Sequence, residues 1–556
     1  MLMGKQARVS WWTAEPSEEG LTDITVGALL DRAATRFGAA EAVVTSAYDD
    51  VGLNVRWTYQ ELKRRADRMA RGLIALGLSP RSRIAVWAPN VPQWLVAEFA
   101  AAKAGLVLVT ANPTYRGEEL RYVLDDADVK ALLLYPRIRH LDLLGEFTSV
   151  RHLLPRLDAV YSLGEPADGV EPVSLLDRLA DRVPEAELAR RQAAVSTHDI
   201  AQIQYTSGTT GRPKGAQLTH HGLVNNARLF ARRWNVTHAD RWCNPMPLFH
   251  TAGCAMVTLG AMWHGACHLP IVWFDPARVF ATIGRERATI LETVPTMIVR
   301  LLTEAPAMAG DLSSLRIVGT GGSPAPSELG VRLRDEWDTR LRIVYGLTET
   351  SPLISSVPEI DTDERAFTTV GPPLPEIDVR IVDRSGETTP TGVPGELLVR
   401  GYLVMDGYLN RPDATREVMD ADGWFHTGDA ATMDDDGYLR IVGRIKDVVI
   451  RGGENIYPAE IEALLTQHPA VTEAQVVGVP DAYYGEEVCA AVIADAPVDP
   501  EEVRAWLRLR VTHQKVPRYV VAVDRYPLTA SGKVQKFALR EQVLEHLGLK
   551  SPGEGP

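Results

Sequence analysis

Cysteine is scarce in this chain. The four among 556 residues, Cys243, Cys254, Cys267 and Cys489, form no C-x-x-C pair and show no zinc-like spacing. That argues against a disulfide framework or a thiolate metal site and favours buried free thiols in a reducing compartment. Positive charge is also short, with 59 Lys and Arg against 72 Asp and Glu and a net charge of −13. A nucleic-acid partner for the chain as a whole is disfavoured, although a local basic pocket for an anionic ligand is not. Long apolar runs are missing too. Met1 to Pro16 has no apolar core and does not read as a secretory signal. The most apolar stretch, Trp94 to Thr110, is interrupted by Glu98 and Lys103 and is too short for a membrane span. The expectation is a cytoplasmic protein without a transmembrane segment. There is no internal repeat or low-complexity tract.

What is present is ordinary for a globular protein, with 45% hydrophobic and 24% charged residues. The length exceeds what one core supports, so at least two domains are expected. Thr58-Tyr-Gln-Glu61 is a capping box opening a helix whose Leu62, Ala66, Met69, Ala70, Leu73, Ile74 and Leu76 recur at helical spacing. Gly77 suits its C′ stop. Apolar runs at 84–87, 106–109 and 131–134 alternate with helical patterns at 93–104 and 117–126, predicting a parallel α/β sheet. The acidic, proline-spotted stretch 150–194 reads as surface connection plus a helix. Further buried strands are predicted at 289–294, 315–319 and 342–345, and antiparallel strands at 378–382 and 395–400. The last part reads as a compact α+β unit, with helices from Pro458 and Pro500 and strands at 472–479, 488–494 and 519–523. The tail from Ser551 reads as frayed.

The densest chemistry lies in Tyr205-Thr-Ser-Gly-Thr-Thr-Gly-Arg-Pro-Lys-Gly215. Glycines permit close backbone approach, hydroxyls and free amides donate to phosphate oxygens, and Lys214 adds a point charge. With a strand ending before it and a helix read from Leu218 to Arg233 after it, the segment is a phosphate-binding context. It is not the NTPase P-loop, because Pro213 precedes Lys214 and Gly215 follows it. Tyr345-Gly-Leu-Thr-Glu-Thr350 follows a strand directly, where ligands bind at the carboxyl end of a parallel sheet. A carboxylate beside phosphates needs a cation such as Mg²⁺ between them. Taken alone, the segment reads as a helix start with Thr348 as cap. Asp422-Gly-Trp-Phe-His-Thr-Gly-Asp429 offers a carboxylate that can accept from ribose hydroxyls. Gly319 to Pro326 nearly spells a G-x-S-x-G nucleophile elbow, but Ala325 breaks it. Gly443-Arg-Ile-Lys-Asp447, Arg451-Gly-Gly-Glu-Asn-Ile-Tyr-Pro458 and Pro527-Leu-Thr-Ala-Ser-Gly-Lys-Val-Gln-Lys536 complete the set.

In this order, from about Ile24 to Lys536, these segments resemble the adenylate-forming (AMP-binding) superfamily, and most of all its medium- and long-chain fatty acyl-CoA synthetases. The resemblance implies a large α/β N-terminal region of mixed sheets flanked by helices over residues 1–444. It also implies a small mobile α+β domain over 445–556. The implied reaction joins a carboxylic acid to ATP, giving acyl-AMP, and then to coenzyme A. Thr206, Ser207, Gly208, Thr209, Thr210 and Lys214 would hold the β- and γ-phosphates. Glu349, partnered by Thr206, would bind Mg²⁺. Tyr345 and Gly346 would lie at adenine, with Gly322 and Ser323 in the loop beside it, and Thr348 at the α-phosphate. Asp429 and Arg444 would hold the ribose.

Lys533 would be the mobile catalytic lysine, Lys446 the pivot, and Gly452 and Gly453 the pantetheine path. His250 would position the substrate carboxylate. Trp234, Phe249 and Trp263 are candidates for the acyl pocket, and Gly319, Gly321 and Gly322 would leave room for a long or bulky acyl group. Some fatty acyl-CoA synthetases carry a lysine four residues past the hinge, where this chain has Ile450. A separate carrier protein as acceptor, a homodimer, and a non-catalytic nucleotide-binding protein stay open at this point.

Overall fold

The structure is a computed structural model that describes residues 8–206, 212–308, 310–452, 454–494, 496–528 and 534–549. The expectations for Ser207, Gly208, Thr209, Thr210, Gly453, Lys533 and the tail from Ser551 lie outside the described residues. The chain divides into two compact units, one comprising 12–379 and 399–425 and the other 1–11, 380–398 and 426–556.

The larger unit holds two eight-stranded sheets. The first has the order Gly407–Tyr408, Lys214–Thr219, Ile200–Thr206, Val107–Ala111, Arg83–Trp87, Val129–Leu134, Ala159–Ser162, Glu171–Pro172. Its strands from Ile200–Thr206 through Glu171–Pro172 pair in parallel. The predicted strands and helices at 84–134 are all present, with helices at Pro92–Lys103 and Gly117–Asp126. The stretch read as connection plus a helix also contributes the strand Ala159–Ser162, too short and weakly apolar to stand out. Glu98 and Lys103 are both buried. The Lys103 ammonium pairs with Asp31 at 2.5 Å and Asp67 at 2.6 Å. A charged group can be buried this way only with its partners supplied.

The second sheet has the order Leu353–Ser356, Arg340–Gly346, Ile317–Gly321, Ile290–Thr293, Arg241–Asn244, Cys267–Pro270, Glu41–Thr45, Val55–Thr58. Its central five strands run parallel, so their carboxyl ends gather along one edge. Alternation puts Cys243, Leu269, Leu291, Val318 and Leu341 in an apolar core on one face. The helix Tyr59–Ala75 follows its capping signals. Thr58 Oγ1 accepts from the Glu61 amide, Leu76 is the C-cap, and Gly77 takes φ +81°. All four cysteines are free and buried.

In the other unit, residues 426–433 pair antiparallel with Leu439–Arg444. The C-terminal part pairs Val449–Arg451, Glu454–Ile456, Glu473–Asp481, Gly485–Ile493 and Tyr519–Ala522 in one sheet. Helices Pro458–Leu465 and Pro500–Arg508 cover the face carrying Val476, Val488 and Val492. Tyr526 and the helix Lys536–Leu547, which the sequence reading missed, cover the face carrying Val477, Val479 and Cys489. Among the described residues no helix is long and apolar enough to cross a membrane.

Candidate functional site

The glycine-rich loop is flanked by strands on both sides. Ile200–Thr206 and Lys214–Thr219 pair antiparallel, with Thr206 opposite Lys214 and Tyr205 opposite Gly215. The helix begins only at His220, capped by the Thr219 hydroxyl, which accepts from the Gly222 amide. This corrects the expected strand–loop–helix order. Ala216 and Leu218 face the core while Gly215, Gln217 and Thr219 alternate with them, so the segment is a short strand. Gly215 is required by packing, since a Cβ there would meet Ile203 at 2.9 Å and the Tyr205 ring at 3.2 Å. The Tyr205 hydroxyl donates to Asp126 at 2.8 Å, and burial raises its pKa.

Thr206 and Lys214 stand at the mouth of this hairpin, the Thr206 hydroxyl donating to the Lys214 carbonyl at 3.4 Å. The Lys214 ammonium lies 5.2 Å from the ring centroid of Tyr408 on the neighbouring edge strand. The Tyr408 hydroxyl donates to Glu349 Oε1 at 2.7 Å. Glu349 is only 8% exposed. Its carbonyl accepts from Met405, and Leu409 donates to Gly215, so the 405–409 segment ties the two motifs together. Tyr408 was not found by sequence reasoning, because no local pattern marks it.

Thr348–Thr350 is one 3₁₀ turn, and Leu347 takes the cap position read for Thr348. Tyr345 and Gly346 close the preceding strand. A Cβ on Gly346 would lie 1.9 Å from the Pro352 carbonyl oxygen, so only glycine fits. Glu349 and the Thr206 hydroxyl are hard oxygen donors of the kind Mg²⁺ takes when phosphates complete its shell. Among the described residues no group of three or more His, Cys, Asp or Glu could hold a metal. Two such oxygen donors fit a cation whose remaining ligands are supplied by a nucleotide and water.

His250 is half-buried, and its Nδ1 accepts from the Ala252 amide at 3.2 Å, which fixes the ring. A π-helix, Ala252–Leu259, follows directly. Such turns recur at functional sites, and sequence periodicity did not reveal this one. Phe249 beside it is also half-buried.

The expectation of open space at the glycines is corrected. A Cβ on Gly319 would lie 2.4 Å from Trp234 Cη2 and 2.6 Å from Glu292 Oε2. One on Gly321 would lie 2.6 Å from Val344 Cγ2 and from its carbonyl oxygen. These glycines admit close packing; they do not enlarge a cavity. Trp234 is fully buried, its indole donating to Ser356 Oγ and the Val357 carbonyl, yet its ring edge reaches Gly319. Trp263 is instead covered by Arg32, whose guanidinium carbon lies 3.9 Å from its ring centroid. Gly322 takes φ +80° just past the strand, a conformation that favours glycine. Ser323 follows it in the loop before the helix Ser327–Trp337.

Glu292 was passed over as part of a buried strand. It is 1% exposed, its Oε2 has no hydrogen-bond partner among the described residues, and burial pushes its pKa well up.

In the other unit, Asp429 and Arg444 are opposite one another on the antiparallel pair, with Arg444 Nε 2.7 Å from Asp429 Oδ1. Asp429 is buried and Arg444 exposed, and the Thr427 hydroxyl accepts from the Asp429 amide. Lys446 follows on the turn Ile445–Asp447, its pKa lowered by desolvation and by Arg444, and raised in part by Asp447. Gly452 has φ +59° with Tyr484 beside it, and Arg451 pairs with Glu487 at 2.7 Å.

The model of the AMP-binding enzyme family matches residues 30–409, and that of the AMP-binding enzyme C-terminal domain matches residues 460–533. The putative acyl-CoA synthetase YngI of Bacillus subtilis is 40% identical, covering 95% of this chain and 98% of its own. The mitochondrial medium-chain acyl-CoA ligase ACSF2 of Mus musculus is 40% identical, covering 96% of this chain and 90% of its own. The crystal structure of ATP-bound MatB from Rhodopseudomonas palustris superposes with a TM-score of 0.82 at 31% identity, covering 93% of this chain and 98% of that one. With two family models in order along it and relatives matched over nearly its whole length, the chain belongs to the AMP-binding enzyme family, the adenylate-forming superfamily that its motifs resemble.

Proposed function

We propose that this protein is an AMP-forming acid–thiol ligase. It activates a carboxylic acid with ATP to an acyl-adenylate and then transfers the acyl group to coenzyme A. The observation that carries this reading is the cluster of Lys214, Tyr408 and Glu349 at the mouth of the phosphate-loop hairpin. It joins a cation and a carboxylate through one tyrosine, Lys214 against its ring and Glu349 at its hydroxyl, at an edge where nucleotide phosphates bind in related folds. Relatives named acyl-CoA synthetases and ligases, matched over almost the whole chain, support it.

In the first step a substrate carboxylate oxygen attacks the α-phosphorus of ATP, and pyrophosphate leaves. Lys214 and the loop amides hold the departing phosphates, and Thr348 contacts the α-phosphate. Mg²⁺, held by Glu349 with Thr206, would supply charge neutralisation between them. Lys533 neutralises charge that grows on the oxygens as the bond forms, an interaction stronger in the transition state than before it. His250, its ring fixed through Nδ1, positions the substrate carboxylate. In the second step the coenzyme A thiol sulfur attacks the acyl carbon and AMP departs. Lys446 serves as the pivot of the domain from 445 onward, and Gly452 and Gly453 line the thiol's approach. Asp429 accepts from the ribose hydroxyls with Arg444 beside it.

Carboxylate-dependent ATP–pyrophosphate exchange over a broad acid panel tests the first step, and a thioester readout with coenzyme A against carrier protein tests the second. Exchange with at least one acid and transfer to coenzyme A are expected. Absence of exchange with every acid would refute the enzymatic reading. Transfer to carrier protein alone would replace coenzyme A as acceptor. The protein is proposed to act in the cytoplasm.

A further inference from the structure

Gly319, read from the sequence as a candidate for the acyl pocket, is bordered by side chains whose polar atoms are unusual beside an alkyl chain. Gly319 lies opposite Glu292 on the adjacent parallel strand, and the point above Gly319 is bounded by the Trp234 ring edge and the Glu292 carboxyl. The next strand, Arg241–Asn244, runs parallel with Cys243 opposite Leu291, which brings Asn244 alongside Glu292. Asn244 Nδ2 meets His268 Nε2 at 3.0 Å. Three polar atoms of this sheet face have no hydrogen-bond partner among the described residues: Glu292 Oε2, His268 Nδ1 and Trp242 Nε1. All three residues are 1% exposed or less. Buried polar groups are nearly always paired, and a carboxyl left unpaired loses its hydration with nothing in return. A partner that arrives with the ligand accounts for the arrangement.

Resting on the ligase reading, we infer that Glu292 is a specificity-determining residue and that the acid this enzyme activates carries a hydroxyl group on its acyl chain, hydrogen-bonded to the Glu292 carboxyl at the pocket floor. The charge balance selects a hydroxyl over an ammonium. The neighbours are an amide, an indole and an imidazole that burial keeps neutral, its pKa pushed down to about 3. Burial raises Glu292 in the same way. An ammonium would require a charge pair among these buried neutral groups, whereas a hydroxyl can both donate to and accept from a neutral carboxyl. Trp234 and Glu292 together also close the space over Gly319, which limits how far an unsubstituted chain can extend there.

The test compares straight-chain C4 to C8 acids with their hydroxylated counterparts, internal and terminal, in ATP–pyrophosphate exchange. Wild type, Glu292→Gln and Glu292→Met are assayed together. A site built to bond a hydroxyl rejects the analogue lacking it strongly, so wild type should favour the best hydroxy acid by on the order of 100-fold or more in kcat/KM. Glu292→Gln, which keeps a donor and an acceptor, should retain most of that ratio. Glu292→Met, of similar length and without hydrogen bonding, should lose it while gaining on the unsubstituted acid. Without acid, the Met variant should melt at or above wild type, because it removes an unpaired buried group. Equal preference ratios in wild type and Glu292→Met would overturn the inference and leave the ligase reading standing. A Met variant melting well below wild type would show the carboxyl to be held by the protein itself, and would overturn it too. Exchange with no acid at all would refute the ligase reading, and this inference with it.

Discussion

Tyr408→Phe separates the two things that Tyr408 does. The ring lies under the Lys214 ammonium, 5.2 Å from centroid to nitrogen, and the hydroxyl donates to Glu349 Oε1 at 2.7 Å. Phenylalanine keeps the ring, and with it the lysine contact and the packing of a residue that is 9% exposed. Among the described residues, the contact it removes is the hydrogen bond to Glu349. A bond to a charged group contributes about 1.5–3 kcal/mol, which converts to roughly 10- to 150-fold at about 1.4 kcal/mol per decade. Loss of a group that orients a metal-ligating carboxylate typically costs a comparable 10–100-fold. The expected result is an apparent Mg²⁺ requirement raised by about 10-fold or more in ATP–pyrophosphate exchange. Saturating Mg²⁺ should restore much of the rate. Glu349→Gln should be severe alone, and adding Tyr408→Phe to it should change little, since the bond then no longer orients a charged ligand. A Tyr408→Phe enzyme with wild-type Mg²⁺ dependence, or effects that add in the double variant, would refute the placement of the metal at Glu349.

Two further predictions concern the buried histidines and the lysine proposed for adenylation. His268 and His220 are pushed down to about 3 and about 4 by burial, below the ordinary 6.5, so both fold neutral. Between those values and about 6.5 the unfolded chain binds protons that the folded one does not. Their stabilising contribution is thus complete above about pH 6.5 and lost as pH falls towards 4 and then 3. The denaturant midpoint should drop across that window, and less steeply in His268→Gln; identical slopes would contradict the assignment. Lys533→Ala should cripple acyl-adenylate formation yet leave thioester formation from supplied acyl-adenylate largely intact, and equal loss of both half-reactions would exclude the role proposed for Lys533.

The alternation of parallel strands and helices was legible because each element carried its own signal. Thr58, Glu61 and Gly77 marked both ends of one helix, and the apolar runs around 84–134 marked three strands. What escaped notice depended on partners distant in sequence. Lys103 and Glu98 read as interruptions of an apolar stretch. Only the fold shows that Asp31 and Asp67 meet Lys103, and that the Gln202 amide donates to Glu98. Glu292 looked like one polar residue in a buried strand, and that its Oε2 has no hydrogen-bond partner among the described residues is a property of three dimensions. Glycines at 319 and 321 looked like room for a ligand, because sequence cannot say whether an absent side chain leaves a space or admits a neighbour.

The phosphate loop shows most clearly why a local misreading matters to mechanism. A loop leading straight into a helix would hold phosphate with the helix's unpaired amides and positive end. Here six strand residues intervene between the loop and the helix His220–Arg233. The Gly222 amide at that helix's start is already satisfied by Thr219, and the first turn is packed so closely that a Cβ on Gly222 would lie 2.8 Å from Ser351 Oγ. The helix end is therefore committed to the fold. In the proposed reaction Lys214, at the mouth of the hairpin, would supply positive charge for the departing pyrophosphate beside the Mg²⁺ proposed at Glu349. An ammonium on a flexible stem, backed by the face of Tyr408, can follow phosphates as they leave in a way that a fixed helix dipole cannot. That would suit the proposed reaction, in which the phosphates assigned to the loop leave while the new bond forms at the α-phosphorus, for which Thr348 is proposed as a contact.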